Sequence, residues 1–83
     1  MSVIVEKVEI YSKANCQYCT TAKTVVTRRE WPMEEKSIDE QANLDELTTK
    51  LGHVPKSVPQ IFINGHHIGG YQKLVEWIGK NAD

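Results

Sequence analysis

The spacing of apolar side chains changes repeatedly along this chain, and each change marks a boundary. Residues 4–11 read as an extended segment in which Val8, Ile10 and Tyr11 are the strongest strand formers. Residues 12–15 are polar and turn-prone. From Cys16 the period becomes helical: Cys19, Ala22, Val26 and Arg29 fall at i, i+3, i+7 and i+10, and Val25 fills the same face. Arg28 and Arg29 suit the negative end of the helix dipole, and Pro32 opposes continuation. Residues 33–38 predict a short second strand, although three of the six are charged.

Asn43 followed by Glu46 has the spacing of a capping box, so a second helix is expected with Asn43 as its N-cap. Leu44, Leu47 and Leu51 form its apolar face, and Gly52 is its stop. Pro55 and Pro59 bracket a loop. Gln60–Ile63 reads as a third strand, and Asn64-Gly65 is the pair favoured in two-residue hairpin turns. Residues 66–68 return as a fourth strand, broken by Gly69-Gly70. Tyr71, Leu74, Val75 and Ile78 then mark a last amphipathic helix ending near Gly79. The order is β-α-β-α-β-β-α. A strand–helix–strand start implies a parallel pair, and the hairpin implies an antiparallel one. The fold class is therefore α/β, with a mixed four-stranded sheet flanked by three helices.

Composition narrows the function. The chain has 83 residues, which suits a single domain over 1–83. Ten basic and eleven acidic side chains nearly cancel, and no basic cluster marks a nucleic-acid footprint. The longest apolar runs are too short to span a membrane. The start, Met1-Ser2-Val3-Ile4-Val5-Glu6-Lys7, lacks a charged region followed by a long apolar run. The expectation is a soluble, cytoplasmic protein if this start is native.

The candidate chemistry lies in Cys16-Gln17-Tyr18-Cys19, which holds both cysteines of the chain. Three readings compete. As a structural staple the pair is poor, because loop-closure stabilisation grows with loop length and this loop is nearly the shortest possible. As half of a zinc site it would need His53, His66 or His67. His66 and His67 are neighbours on a predicted strand and point to opposite faces, so at most one could join. No metal site is expected, and all three histidines read as polar surface. Trp31 and Trp77 read as packing residues.

The third reading is a reversible disulfide. Cys16 stands at a helix start, where unpaired N–H groups and the helix dipole favour an anion, so its pKa should fall below that of a free cysteine. Lys13 adds positive potential. Cys19 lies one turn deeper, on the side of Ala22 and Val26. Helical neighbours at i and i+3 have Cβ atoms about 5–6 Å apart, and a bridge needs about 3.5–4.5 Å, so a small adjustment suffices. The spacing predicts an exposed attacking thiol and a shielded resolving thiol.

Three segments then match one family. Tyr11-Ser12-Lys13-Ala14-Asn15-Cys16-Gln17-Tyr18-Cys19 resembles the active-site segment of glutaredoxins, where Cys-Pro-Tyr-Cys is common. Ser57-Val58-Pro59-Gln60-Ile61-Phe62-Ile63 resembles their Thr-Val-Pro motif, and His67-Ile68-Gly69-Gly70-Tyr71 resembles their Gly-Gly turn. With the element order, the match covers about residues 4–80. The closest likeness is to small dithiol glutaredoxins of the bacterial type.

The resemblance implies a thioredoxin-like fold and a glutathione-dependent thiol–disulfide oxidoreductase. Glutathione is its co-substrate, and no cofactor is tightly bound. Its implied substrates are disulfide-containing or glutathionylated proteins, with ribonucleotide reductase among them, and the expected state is a monomer. Cys16 becomes the nucleophile and Cys19 the resolving thiol. Lys13 and Tyr18 flank the bound glutathione. Val58 pairs its backbone with the peptide, and Pro59 is cis. Gly70, Tyr71 and Gln72 offer N–H groups to the γ-glutamyl carboxylate. Two positions depart from the family. Gln17 stands where proline is frequent. Lys73 stands where many members carry an acidic residue that contacts the glutathione ammonium, which predicts weaker or differently oriented glutathione binding. Two alternatives follow: a thioredoxin-like reductant served by a flavoprotein reductase, and an iron–sulfur carrier with Cys16 as ligand and glutathione as co-ligand.

Overall fold

The computed structural model describes residues 4–81. The first three residues, part of the start read above for a leader, lie outside them. Seven elements follow in the expected order: β1 Val8–Ser12, α1 Gln17–Arg28, β2 Met33–Ser37, α2 Gln41–Leu51, β3 Gln60–Ile63, β4 His66–Gly69 and α3 Tyr71–Asn81. The sheet order is β2-β1-β3-β4. β1 runs parallel to β2 and antiparallel to β3, and β3 pairs antiparallel with β4. The mixed α/β sheet with three helices is the one expected.

Period-two alternation decides what each face holds. Val8, Ile10, Ile61 and Ile63 pack against Ala22 and Val26 of α1 and Leu74 of α3. Tyr11 and Phe62 turn the other way and pack against Leu47 of α2. Their rings meet edge to face, 5.7 Å apart. Trp31 and Trp77 are partly buried, stack edge to face at 6.1 Å and border the first cluster, as packing residues would. Asn64 and Gly65 both have positive φ, 52° and 83°, as a two-residue turn of type I′ requires.

Three boundaries differ from expectation. β1 begins at Val8, not at residue 4, because the partner strand β2 begins at Met33, opposite Val8. Before that the Asn64 side chain tethers the chain, accepting from the Glu6 and Lys7 amides and donating to the Ile4 carbonyl. α2 begins after Glu40, not at Asn43. The Asn43 amide instead donates to the Ser37 carbonyl and the Glu40 carboxylate, locking the helix start to the end of β2. α3 runs past Gly79 to Asn81; Gly79 has open space around it, and a helix tolerates such a glycine at modest cost.

β2 is an edge strand, and its charges suit an edge. Each is also paired: Glu35 with Lys23, Lys36 with Glu9 and Glu46, Glu34 with Lys7. Among the described residues no helix is long and apolar enough to cross a membrane.

Candidate active site

The loop between β1 and α1 is held from the next strand. The Ile38 amide donates to the Ser12 carbonyl at 2.7 Å, and the Ala14 amide donates to Asp39 Oδ2 at 2.9 Å. Asn15 takes φ 58°, turning the chain so that Cys16 becomes the N-cap of α1 in extended conformation. Sulfur replaces the usual oxygen cap: Cys16 Sγ accepts from the Cys19 amide at 3.2 Å. The first turn of α1 carries no acidic residue to compete for that position. Donors of this kind stabilise a thiolate when the sulfur is reduced.

Cys16 and Cys19 are joined as a disulfide with Cα atoms 5.2 Å apart. Their environments differ as the spacing predicted. Cys16 is part-exposed, whereas Cys19 is 1% exposed, in line with buried Ala22 and Val26. Cys16 Sγ lies 3.9 Å from the Val58 carbonyl oxygen, so β3's approach loop reaches the reactive sulfur.

A groove of about 660 Å³ opens beside this point. Tyr18, 65% exposed, forms one wall and stacks on Tyr71 with ring centres 5.9 Å apart. Ser57, Val58 and Pro59 form another, and the Val58–Pro59 bond is cis. The third is the start of α3, with Gly70, Tyr71, Gln72 and Lys73. The first bond of that helix runs from the Leu74 amide to the Gly70 carbonyl. The amides of Tyr71, Gln72 and Lys73 therefore precede the ladder and are available to an anion. Gly69 allows the turn into α3: its φ is 124°, and a Cβ there would stand 3.0 Å from the Lys73 side chain.

Six of the seven expected binding residues thus line one groove: Tyr18, Val58, Pro59, Gly70, Tyr71 and Gln72. Lys13 does not. It is exposed and lines a second hollow, which Cys16 also lines. Ser57 and Val75 also line the groove, and sequence reading missed them because neither carries a chemical signal. Asp39, which anchors the cysteine loop, was missed as well. His66 and His67 are exposed, and His67 Nε2 lies 2.8 Å from Gln60 Oε1. Among the described residues no cluster of His, Cys, Asp or Glu could hold a metal ion.

The glutaredoxin family model matches residues 8–68. Glutaredoxin 1 of Escherichia coli K12 is 30% identical over 80 residues, which cover 89% of this chain and 94% of that protein. Glutaredoxin 3 of the same organism is 40% identical over 68 residues, 81% and 80% of the two chains. Among solved structures, glutaredoxin 1 of Francisella tularensis complexed with cacodylate superposes with a TM-score of 0.73 at 31% identity, over 89% of this chain and 93% of that one. A buckwheat glutaredoxin–glutathione complex superposes at 0.72 with 26% identity, over 88% and 68%. The part-exposed sulfur capping a helix and the buried one a turn below it form a Cys-x-x-Cys pair at disulfide distance, and the chain belongs to the glutaredoxin family of thiol–disulfide oxidoreductases.

Proposed function

We propose that this protein reduces glutathione mixed disulfides and protein disulfides at the expense of glutathione. One observation carries the reading: a part-exposed sulfur at a helix N-terminus stands beside a groove whose far end is a second helix N-terminus with free amides. The first accommodates a reacting thiolate and the second a carboxylate, the two ends of a small acidic thiol peptide. The related buckwheat structure holds glutathione, which supports the choice of peptide.

In the proposed reaction the Cys16 thiolate attacks a disulfide and takes one sulfur of it, releasing the other as a thiolate. The Cys19 thiolate then attacks the Cys16 sulfur, the bond from Cys16 to the substrate sulfur breaks with release of that sulfur as a thiolate, and the enzyme disulfide forms. Two glutathione molecules restore the dithiol and leave as glutathione disulfide. Tyr18 flanks the bound peptide, the Val58 backbone pairs with it, and the α3 amides hold its carboxylate. Lys13, exposed in the hollow that Cys16 also lines, adds positive charge beside the reacting sulfur. The proposed setting is the cytoplasm, with glutathionylated proteins, or a disulfide enzyme such as ribonucleotide reductase, as substrates of the monomer.

The test is steady-state reduction of a glutathionylated peptide by glutathione. Cys16→Ser should abolish turnover. Cys19→Ser should retain it and lose only protein-disulfide reduction. Identical behaviour of the two variants would overturn the assignment of roles.

Lys73 favours a second reading, a thioredoxin-like reductant served by a flavoprotein reductase. It lines the groove with its side chain 67% exposed, where a cation opposes the glutathione ammonium. Lys73→Asp should lower the apparent KM for glutathione; if KM is unchanged or rises, the charge does not oppose glutathione and this reading loses its support.

A further inference from the structure

Cys19 must lose its proton before it can attack Cys16, yet it is 1% exposed, and apolar surroundings disfavour a thiolate. One flank of Cys19 continues into the apolar core through Ala22 and Val26. The other borders a second hollow, of about 700 Å³, shared with Cys16, Ser12, Lys23 and Glu35.

Three side chains in that hollow form one network. Lys23 Nζ lies 2.8 Å from Glu35 Oε2, and the buried Ser12 hydroxyl donates to the same oxygen at 2.7 Å. Glu35 pairs with Ile10 across the parallel ladder, so its side chain rises on the face that α1 covers. Lys23 follows Cys19 by four residues on α1. Helical side chains lean toward the N-terminus and cover the turn before their own Cα. The Lys23 stem therefore leans toward the turn of Cys19, and the carboxylate fixed by Ser12 holds its ammonium in the hollow that Cys19 also lines. Hydrogen bonds from Lys23 and then Ser12 keep the Glu35 carboxyl below the usual range, so the carboxylate stays ionised at neutral pH.

We propose that Lys23, clamped by Glu35 and Ser12, is the positioning cation of the resolving step: its field favours the Cys19 thiolate, and the carboxylate beside it limits how far. The proton of Cys19 leaves to water through the hollow. The thiolate attacks the Cys16 sulfur of the mixed disulfide. The Cys16–Cys19 bond forms, the bond from Cys16 to the substrate sulfur breaks, and the departing thiolate takes a proton from water. Other charged or titratable groups surround the pair. Cys16, Lys13 and Asp39 line the same hollow, and Tyr18, Tyr71 and Lys73 line the groove beyond. Of these cations, Lys23 alone shares a helix face with Cys19.

The test uses the Cys16→Ser protein, in which Cys19 is the sole thiol, and follows its 13Cβ shift by NMR as pH rises. Lys23→Met keeps the stem and leaves the Glu35 charge unopposed. The Cys19 midpoint should rise by about half a unit or more, roughly a threefold loss of thiolate at a fixed lower pH. Glu35→Gln keeps an acceptor for Lys23 and Ser12 and removes only the negative charge, so the midpoint should fall. Lys23→Arg should stay close to the parent. Shifts in the same direction for Met and Gln, or no shift in either, would overturn the proposal. So would a parent Cys19 that remains protonated up to about pH 10. The proposal rests on Cys19 being the resolving thiol, but the titration needs no substrate. Opposite shifts without glutathione turnover would remove the proposed reductant and leave the electrostatic role standing.

Discussion

Under α1 and α3 the sheet offers Val8, Ile10, Ile61 and Ile63 to Ala22, Val26 and Leu74; under α2 it offers Tyr11 and Phe62 to Leu47, inside a ring of charges. The cluster at the centre of the first layer is apolar throughout. The second is closed by Glu9, 8% exposed in β1, with Lys50 Nζ at 3.2 Å and Lys36 Nζ at 3.3 Å. Lys36 also reaches Glu46 at 3.0 Å, and the Lys50 ammonium stands over the Tyr11 and Phe62 rings at 5.3 and 5.0 Å. Burial pushes the Glu9 carboxyl up, but the hydrogen bonds from Lys50 and Lys36 outweigh it and hold it below its ordinary value. Burial likewise pushes Lys36 down, and Glu46 and Glu9 more than reverse it. The comparison teaches where the chemistry can be placed. Cys19 continues the inner face of α1 with Ala22 and Val26, so one flank rests on apolar packing and only the flank facing the hollow meets charge. The α2 side depends on charge states.

The largest test of that contrast is Ile10→Ala. It leaves a cavity in the apolar layer and should cost about 2–5 kcal/mol in denaturant unfolding. Glu9→Ala attacks the other layer by leaving Lys36 and Lys50 without their shared carboxylate; about 1–3 kcal/mol is expected by the same measurement. If Glu9→Ala costs more than Ile10→Ala, the charges and not the apolar layer dominate stability.

pH sharpens the distinction. Glu9, Glu35 and Glu46 are all held low, so their contribution is complete above the unfolded carboxylate value and is lost as pH falls through the folded ones. Lys36 and Lys50 are raised, so theirs is complete below the unfolded lysine value and is lost only as pH rises through the folded ones. Stability should be flat from about pH 5 to pH 10 and fall on the acid side below that. Glu9→Gln should shallow the acid limb. An unchanged limb would mean that Glu9 is not held low in the folded protein. The smallest effect belongs to the exposed Lys7–Glu34 pair, 3.1 Å apart: Glu34→Gln should change stability by less than about 0.5 kcal/mol.

What the sequence made legible was local. The run Gln60-Ile61-Phe62-Ile63 marked β3, the Asn64-Gly65 pair marked its turn, and the helical run from Cys19 to Val26 marked the inner face of α1. The Cys16–Cys19 division into outer and inner sulfur was legible for the same reason, since one turn of helix carries both. Long-range pairing was not. Nothing in the local sequence marks Glu9 as buried, because its burial needs lysines 27 and 41 residues away. The charges of β2 weakened its signal because their partners lie on α1, β1, α2 and the segment before β1. Asn43 matched a cap by spacing, but the Ser37 carbonyl competed for its amide. Lys13 is close to Cys16 in sequence and lines the hollow beside it, but not the groove.

Asn64 carries a further consequence, in chemical ageing. An asparagine followed by glycine is prone to cyclise: the next backbone nitrogen attacks the side-chain carbonyl, ammonia leaves, and an aspartate or its isomer results. In this fold the Asn64 side chain is engaged at both ends, by the amides of Glu6 and Lys7 and by the carbonyl of Ile4. Cyclisation must first break those bonds, so the segment before β1 acts as a safety catch on the hairpin. Once the amide is lost, the new carboxylate faces the Ile4 carbonyl with no hydrogen to give, and the catch cannot close again. The age of a sample would then be written at the turn farthest in function from its thiols.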